Sequence, residues 1–360
     1  MKEVKILQSN NRNIQKPAHF NLKDVDGDEM RKLREYVLSR VNLLIYSDPD
    51  IFYQTMDWVS SQWEHDGINN APEDMTSLEI LERAGKGEKF RCVEYAKVTV
   101  DVFNALGYVA RLVNIISEDA DYGGLGKAHM AVEVWSNSLE KWIYLDPQFS
   151  MYATKDNIPL NYYEIYTNFD EVHIIYMDTK AAIIGIDKSE AIKKYKDFLS
   201  NYFGFMCIFV YEQDIRTRLT LHLNNPKQQL AFQYMGLSNA VYTNNLHDLY
   251  FPINQTLILF DYKEKIDFNA IFKKNNIKTL EEFQANLDLF ETQPKFKLKF
   301  LNNMEFFNKY EIQINQQEKF YTNESTVDCE LREGINTIKV CAINKLGVKG
   351  CTTEIQIRYE

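Results

Sequence analysis

The sequence predicts an α+β fold, a helix-bearing core closed by antiparallel strands, followed by an all-β C-terminal region. Three observations carry that expectation. Over residues 92–106, Tyr95, Ala96, Val98, Thr99, Val100, Phe103 and Leu106 recur at helical spacing, and Gly107 stops the run. Apolar strand patterns follow at once, over residues 108–116, 128–135 and 141–147, with Ser136-Asn137-Ser138 as a turn between the last two. From residue 296 to the end the chain keeps a strand–turn rhythm.

In chain order, residues 1–27 are polar and read as an extended N-terminal arm. Residues 28–44 form a charged amphipathic helix with Leu33, Val37, Val41 and Leu44 on one face. Asp48-Pro49 opens the next helix, an acidic cap followed by a proline whose missing N–H costs nothing there. Phe52, Met56, Val59 and Trp63 stripe that helix to Glu64. Thr76-Ser77-Leu78 begins a short helix that runs to Ala84, and Gly85-Lys86-Gly87 then delivers the chain to Cys92. Along the strand 128–135, a period of two sets His129, Ala131, Glu133 and Trp135 on one face, lining a pocket or facing solvent. Met130, Val132 and Val134 point the other way into an apolar layer.

Tyrosines crowd residues 152–166, a rim suited to sugar or peptide. Residues 188–203 read as a helix, and 206–211, 218–223, 230–234 and 257–262 as strands of a β-rich extension. A short helix near 280–289 leads to Glu291-Thr292-Gln293-Pro294, where a boundary is expected. The expected domains are the arm 1–27, a main domain 28–293 with its extension from about 204, and a β-sandwich 294–360. The stretch Glu333-Gly334-Ile335-Asn336-Thr337-Ile338-Lys339-Val340 and the ending Ile355-Gln356-Ile357-Arg358-Tyr359 resemble the last two strands of immunoglobulin-like or fibronectin-type modules, which bind or position.

With 360 residues, 45% of them hydrophobic, the chain has material for more than one core. A net charge of −10 without a lysine or arginine run argues against nucleic acid or an anionic membrane as partner. No apolar run is long enough to span a bilayer, and the N-terminus lacks the apolar core of a signal peptide. A cytoplasmic location is the expectation for the sequence as written, and a periplasmic or cell-surface one if a leader has been removed. Cys92, Cys207, Cys329, Cys341 and Cys351 are too scattered for a disulfide framework. His19, His65, His173, His222 and His247 stand isolated as surface or packing histidines, and no His or Cys pair has zinc-ligand spacing. Neither metal nor cofactor is expected.

The chemistry points to Cys92. A thiol at a helix start meets unpaired N–H groups and the positive end of the helix dipole, which favour thiolate. A thiolate that attacks a carbonyl needs a base to carry its proton and a third group to hold the base's ring. His129 and Asp146 supply those residue types, at positions that two adjacent antiparallel strands bring to one sheet end.

The blocks Phe90-Arg91-Cys92-Val93-Glu94-Tyr95-Ala96, then Gly107-Tyr108 with Ala110-Arg111, then His129 with Val132-Glu133-Val134-Trp135, then Lys141-Trp142 with Leu145-Asp146-Pro147, resemble the transglutaminase-like superfamily of papain-fold cysteine enzymes. The resemblance spans residues 50–166 and implies a papain-like core with Cys92, His129 and Asp146 as its triad. It further implies an oxyanion donor upstream of the thiol, for which the helix end offers Gln62 and Trp63; the Gln62 amide is the preferred of the two. The implied function is a cysteine-dependent amide-bond hydrolase acting on a peptide, protein or glycopeptide. The alternatives are a glutamine transglutaminase, a deglycosylase of the peptide N-glycanase type, or a binding scaffold that does not catalyse. Hydrolysis is expected over amine transfer. The loop Tyr122-Gly123-Gly124-Leu125-Gly126 carries little aromatic bulk, and Met130-Ala131 follow His129 where the family often has an aromatic residue, so the site should be wet.

Overall fold

The computed structural model describes residues 3–14, 20, 22–118, 127–212, 215–223 and 239–360. Its fold is α+β, and its internal contacts divide the chain into two compact units: residues 17–252, and residues 1–16 together with 253–360.

Strand β1 (Val4–Ser9) belongs to the second unit. The larger unit opens with helices α1 (Asp28–Leu38), α2 (Asp50–Ser60), α3 (Ser77–Ala84) and α4 (Cys92–Ala105). Strands β2 (Ala110–Ile116), β3 (Ala128–Ser136), β4 (Lys141–Asp146), β5 (Met151–Lys155), β6 (Ile158–Pro159) and β7 (His173–Tyr176) follow. After the helix Lys188–Ser200 come β8 (Phe205–Glu212), β9 (Ile215–His222) and β10 (Ala240–Thr243). They form one sheet in the order β10-β9-β8-β2-β3-β4-β5-β6, with β7 on β5. β10 runs parallel to β9, whereas β3 is antiparallel to both of its neighbours.

Alternation along the strands loads both faces of this sheet. Val132, Val134, Ile143 and Leu145 share a core with Phe52, Met56, Tyr95 and Phe103 of α2 and α4. Ala131 and Tyr144, from the opposite face, share a second core with Tyr195 and Leu199 of the helix Lys188–Ser200. Because the second face is covered, Glu133 and Trp135 neither line a pocket nor meet solvent: both are buried. A buried carboxylate is costly unless paired. Glu133 accepts from Arg111 Nη2 at 2.6 Å, from Tyr250 Oη at 2.9 Å and from the Tyr162 N–H at 2.9 Å.

Helix boundaries depart from the sequence pattern where tertiary contacts intervene. α1 ends at Leu38 instead of Leu44, and Leu43, in a following 3₁₀ turn, is buried while Leu44 is 65% exposed. α2 starts at Asp50, because the Asp48 carboxylate is taken by the β3–β4 turn: it accepts from Ser136 Oγ at 2.5 Å and from the Asn137 N–H at 2.7 Å. α3 starts as expected, with Thr76 and Glu79 exchanging hydrogen bonds in a capping box.

The second unit packs a sheet of order β1-β17-β16-β13-β14 and a sheet of order β11-β12-β15 around a single apolar core. Here β11 is Thr256–Tyr262, β12 Lys295–Asn302, β13 Phe307–Ile314, β14 Phe320–Thr322, β15 Thr326–Glu330, β16 Gly334–Asn344 and β17 Lys349–Tyr359. Ile258, Phe296, Leu298, Ile338, Val340 and Ile355 meet in that core. β11 pairs with β12 along its whole length, so it belongs here and not to an extension of the larger unit, and the break falls near residue 252 instead of 293. Part of the expected N-terminal arm is likewise a strand, since β1 pairs with β17. The strand expected at 230–234 and the glycine-rich loop 122–126 lie outside the described residues. Among the described residues, no helix is long and apolar enough to cross a membrane.

Candidate active site

Cys92 is the first residue of α4 and is partly exposed. The start of that helix is anchored by Glu94, a nearly buried carboxylate that accepts from the Arg91 N–H at 3.1 Å and from the Ala71 N–H at 3.3 Å. Burial pushes the thiol's pKa up, but hydrogen bonding to His129, the His129 charge and a bond with the Met130 backbone outweigh it, so the net shift is down from 9.0. The partner shifts the other way. Burial opposes charge on His129, yet the Asp146 carboxylate and the Cys92 sulfur raise its pKa to about 10. Both shifts favour the thiolate on Cys92 and the imidazolium on His129.

β3 carries His129 and β4 carries Asp146, and their antiparallel register brings the two side chains together: Nε2 lies 2.9 Å from Asp146 Oδ2. That contact leaves Nδ1 as the ring nitrogen for the thiol. The histidine is 4% exposed and the carboxylate is fully buried. Asp146 Oδ2 also accepts from Tyr195 Oη at 2.9 Å, and Tyr144 Oη lies 3.4 Å from Tyr195 Oη. Cys92, His129 and Asp146 thus converge as their order in the sequence predicts.

The two oxyanion candidates differ. Gln62, the preferred one, spends its amide N–H₂ on its own helix end, donating to Trp58 O at 2.8 Å and Ser61 Oγ at 3.1 Å. Trp63 is buried against Tyr95, ring centroids 4.3 Å apart, and its indole N–H has no hydrogen-bond partner among the described residues. Its neighbourhood is fastened from below: Tyr95 Oη donates to Trp63 O at 2.5 Å, and Lys180 Nζ donates to Ser60 O at 2.5 Å. Burial lowers the Lys180 pKa to about 8.

Several groups around the triad escaped the sequence reading. Phe198 stands edge-on to the His129 ring at 5.1 Å, with Phe149 at 5.9 Å and Tyr202 at 6.1 Å. Aromatic bulk therefore does border the histidine, from the helix Lys188–Ser200 and the turns near it, and the expectation of an aromatic-poor site is corrected. Tyr195, Phe198 and Tyr202 recur at helical spacing, a stripe that would have announced a covering helix. His65 is not isolated either: its pKa is lowered by burial and then by the charge of His129.

Residues 47–147 match the family model of the Transglutaminase-like superfamily and carry a transglutaminase-like domain. No curated protein matches the chain. Among solved structures, a candidate cysteine protease from Cytophaga hutchinsonii is 12% identical over 58% of this chain, with a TM-score of 0.27, and this chain spans 56% of that protein. Red sea bream transglutaminase is 11% identical over 91% of this chain and 72% of its own, also at a TM-score of 0.27.

Proposed function

We propose that the transglutaminase-like domain of residues 47–147 is the catalytic core of a cysteine-dependent amide-bond hydrolase, with Cys92 as nucleophile, His129 as acid and base, and Asp146 holding the ring. The observation that carries this reading is the chain of contacts from a helix-start thiol through His129 to a buried carboxylate. Cys92 Sγ attacks the substrate carbonyl carbon, and the C=O π pair moves onto oxygen. Trp63 Nε1–H, a buried donor without a partner among the described residues, fits that oxyanion better than the Gln62 amide. When the tetrahedral species collapses, the C–N bond breaks and imidazolium Nδ1–H protonates the leaving amine. A water then adds to the thioester as His129 accepts its proton, and collapse releases the carboxylic acid and restores the thiolate.

The test is release of amine from a mixed peptide library by the full chain, with Cys92→Ala as blank. Trp63→Phe should lower kcat by about 10²–10³-fold and Gln62→Ala by less than about threefold. No amine release from any peptide, while Cys92 still alkylates normally, would leave the binding-scaffold reading standing.

One observation favours a second reading, amine transfer. Phe149, Phe198 and Tyr202 beside His129 provide the apolar wall that shields a thioester from water. A fluorescent primary amine in excess separates the two: carboxylate in preference to amine adduct supports hydrolysis, and the converse makes the enzyme a transferase.

A further inference from the structure

A helix leaves its last carbonyls without intrahelical partners, and at the end of α2 the N–H groups of Ser61 and Gln62 close on Asp57 O, Trp58 O and Val59 O. Ser60 O is left over. Lys180 takes it: Nζ donates to Ser60 O at 2.5 Å and to Trp63 O at 3.5 Å, and lies 5.5 Å from the centre of the Tyr95 ring. The residue is buried, and among the described residues it makes no ion pair. Burying an ammonium without a carboxylate in contact is costly, and a methionine would fill the same space at no such cost. What the ammonium adds is its grip on two carbonyls. The helix that carries it, Asp178–Ile184, is itself held in place, because Lys180 N–H donates to Asp57 Oδ1 at 3.4 Å and Met177 N–H donates to Ser150 O at 3.0 Å. Ser150 Oγ donates to the same Asp57 oxygen at 2.7 Å, so this helix is tied both to α2 and to the turn that follows Asp146.

The contacts converge on Trp63. Its carbonyl is held a second time by Tyr95 Oη, at 2.5 Å, from the first turn of the helix that Cys92 opens. Its ring stacks on Tyr95 at 4.3 Å and meets Phe90 edge-on at 5.8 Å. Carbonyl and ring are thus fixed together, while the indole N–H keeps no partner among the described residues. A donor stabilises a developing oxyanion only if it already points at it, since a donor free to turn must be reorganised during the reaction. Taking Trp63 as the oxyanion donor of the proposed hydrolase, an assignment on which this step rests, we propose that Lys180 is a positioning residue: together with the Tyr95 hydroxyl it holds the Trp63 carbonyl and so aims the indole N–H.

Two reactions of Cys92 in the full chain separate this role from a merely structural one. p-Nitrophenyl acetate gives its acetyl group to the thiolate and loses p-nitrophenolate, by way of an oxyanion; iodoacetamide loses iodide in a displacement that forms none. With Cys92→Ala as blank, Lys180→Met should slow acylation at least about tenfold and keep alkylation within about twofold, with circular dichroism unchanged. Tyr95→Phe frees the same carbonyl from its other donor and keeps the ring, so it should act in the same direction, and it carries the test should Lys180→Met fail to fold. In a Trp63→Phe background neither change should cost more than about twofold further, because the donor they aim is already gone. Equal losses in both reactions, undiminished acylation, or full additivity with Trp63→Phe overturns the proposal and leaves the hydrolase reading untouched. An unaltered chain that is alkylated at Cys92 and never acylated overturns the hydrolase reading, and the positioning role falls with it.

Discussion

Cys92 and Cys207 belong to the same compact unit and differ in nearly everything that sets thiol reactivity. Cys207 lies within β8, fully buried, with the Thr220 hydroxyl 3.2 Å away, and burial drives its pKa up to about 11. Cys92 is also largely enclosed, and burial is again the largest single influence on it, yet its pKa falls. Enclosure alone therefore makes an inert thiol. Enclosure beside an imidazole that a carboxylate keeps protonated favours the thiolate.

Removing either thiol tests that contrast at its extremes. Cys92→Ala should abolish amide cleavage, a loss on the order of 10³-fold or more, while Cys207→Ala keeps kcat within about threefold at a temperature where the protein is folded. Equal losses in the two variants would mean that position confers nothing. The next largest effect belongs to Asp146→Asn, which should cost about 10²–10⁴-fold in kcat and shift the alkylation midpoint of Cys92 upward, because His129 loses the charge that holds its proton. An unmoved midpoint would assign the depressed thiol pKa to the helix start alone.

The pH dependence of iodoacetamide labelling, read peptide by peptide, sharpens the comparison further. A lowered pKa means that thiolate forms at lower pH, so the Cys92 labelling midpoint should fall below pH 9, whereas that of Cys207 should lie near about 11. Turnover should decline above about pH 10, as His129 gives up the proton the leaving amine needs. Parallel profiles for the two cysteines would erase the distinction. A smaller effect is expected of Tyr195→Phe, which removes one hydrogen bond from Asp146: about tenfold or less in kcat, with KM held. The smallest belongs to residues 17–252 expressed alone; they carry both thiols and should preserve their labelling ratio within about twofold. A collapsed ratio would make the second unit part of the site.

The parts of this molecule legible in the sequence are those with a short-range cause. The stripe from Tyr95 to Phe103 gave α4 almost to the residue, Thr76-Ser77-Leu78 marked the start of α3, and the order of Cys92, His129 and Asp146 fits the strands that carry two of them. What escaped depended on partners far along the chain. Asp48 reads as a helix cap until the β3–β4 turn is seen to claim it. β11 looks like a continuation of the preceding strands because nothing local reveals that it pairs with β12. Donor chemistry alone favours Gln62 over Trp63, and only packing reveals that the Gln62 amide is already bonded to Trp58 O and Ser61 Oγ. Phe198, edge-on to His129, comes from a helix whose apolar stripe is visible in the sequence and whose destination is not.

The hairpin that joins β3 to β4 behaves as a vernier. Its pairing runs from Ser136 opposite Lys141 to Val132 opposite Leu145, and the last steps of that scale set His129 against Asp146. A slip of two residues that set Asp146 opposite Glu133 would return every apolar side chain to its own face, yet it would carry the carboxylate about 7 Å along the strand, away from the imidazole. Variants that lengthen or shorten the turn at 136–140 should therefore include well-folded, thermally ordinary proteins that have lost activity, a class of failure that no stability assay would detect.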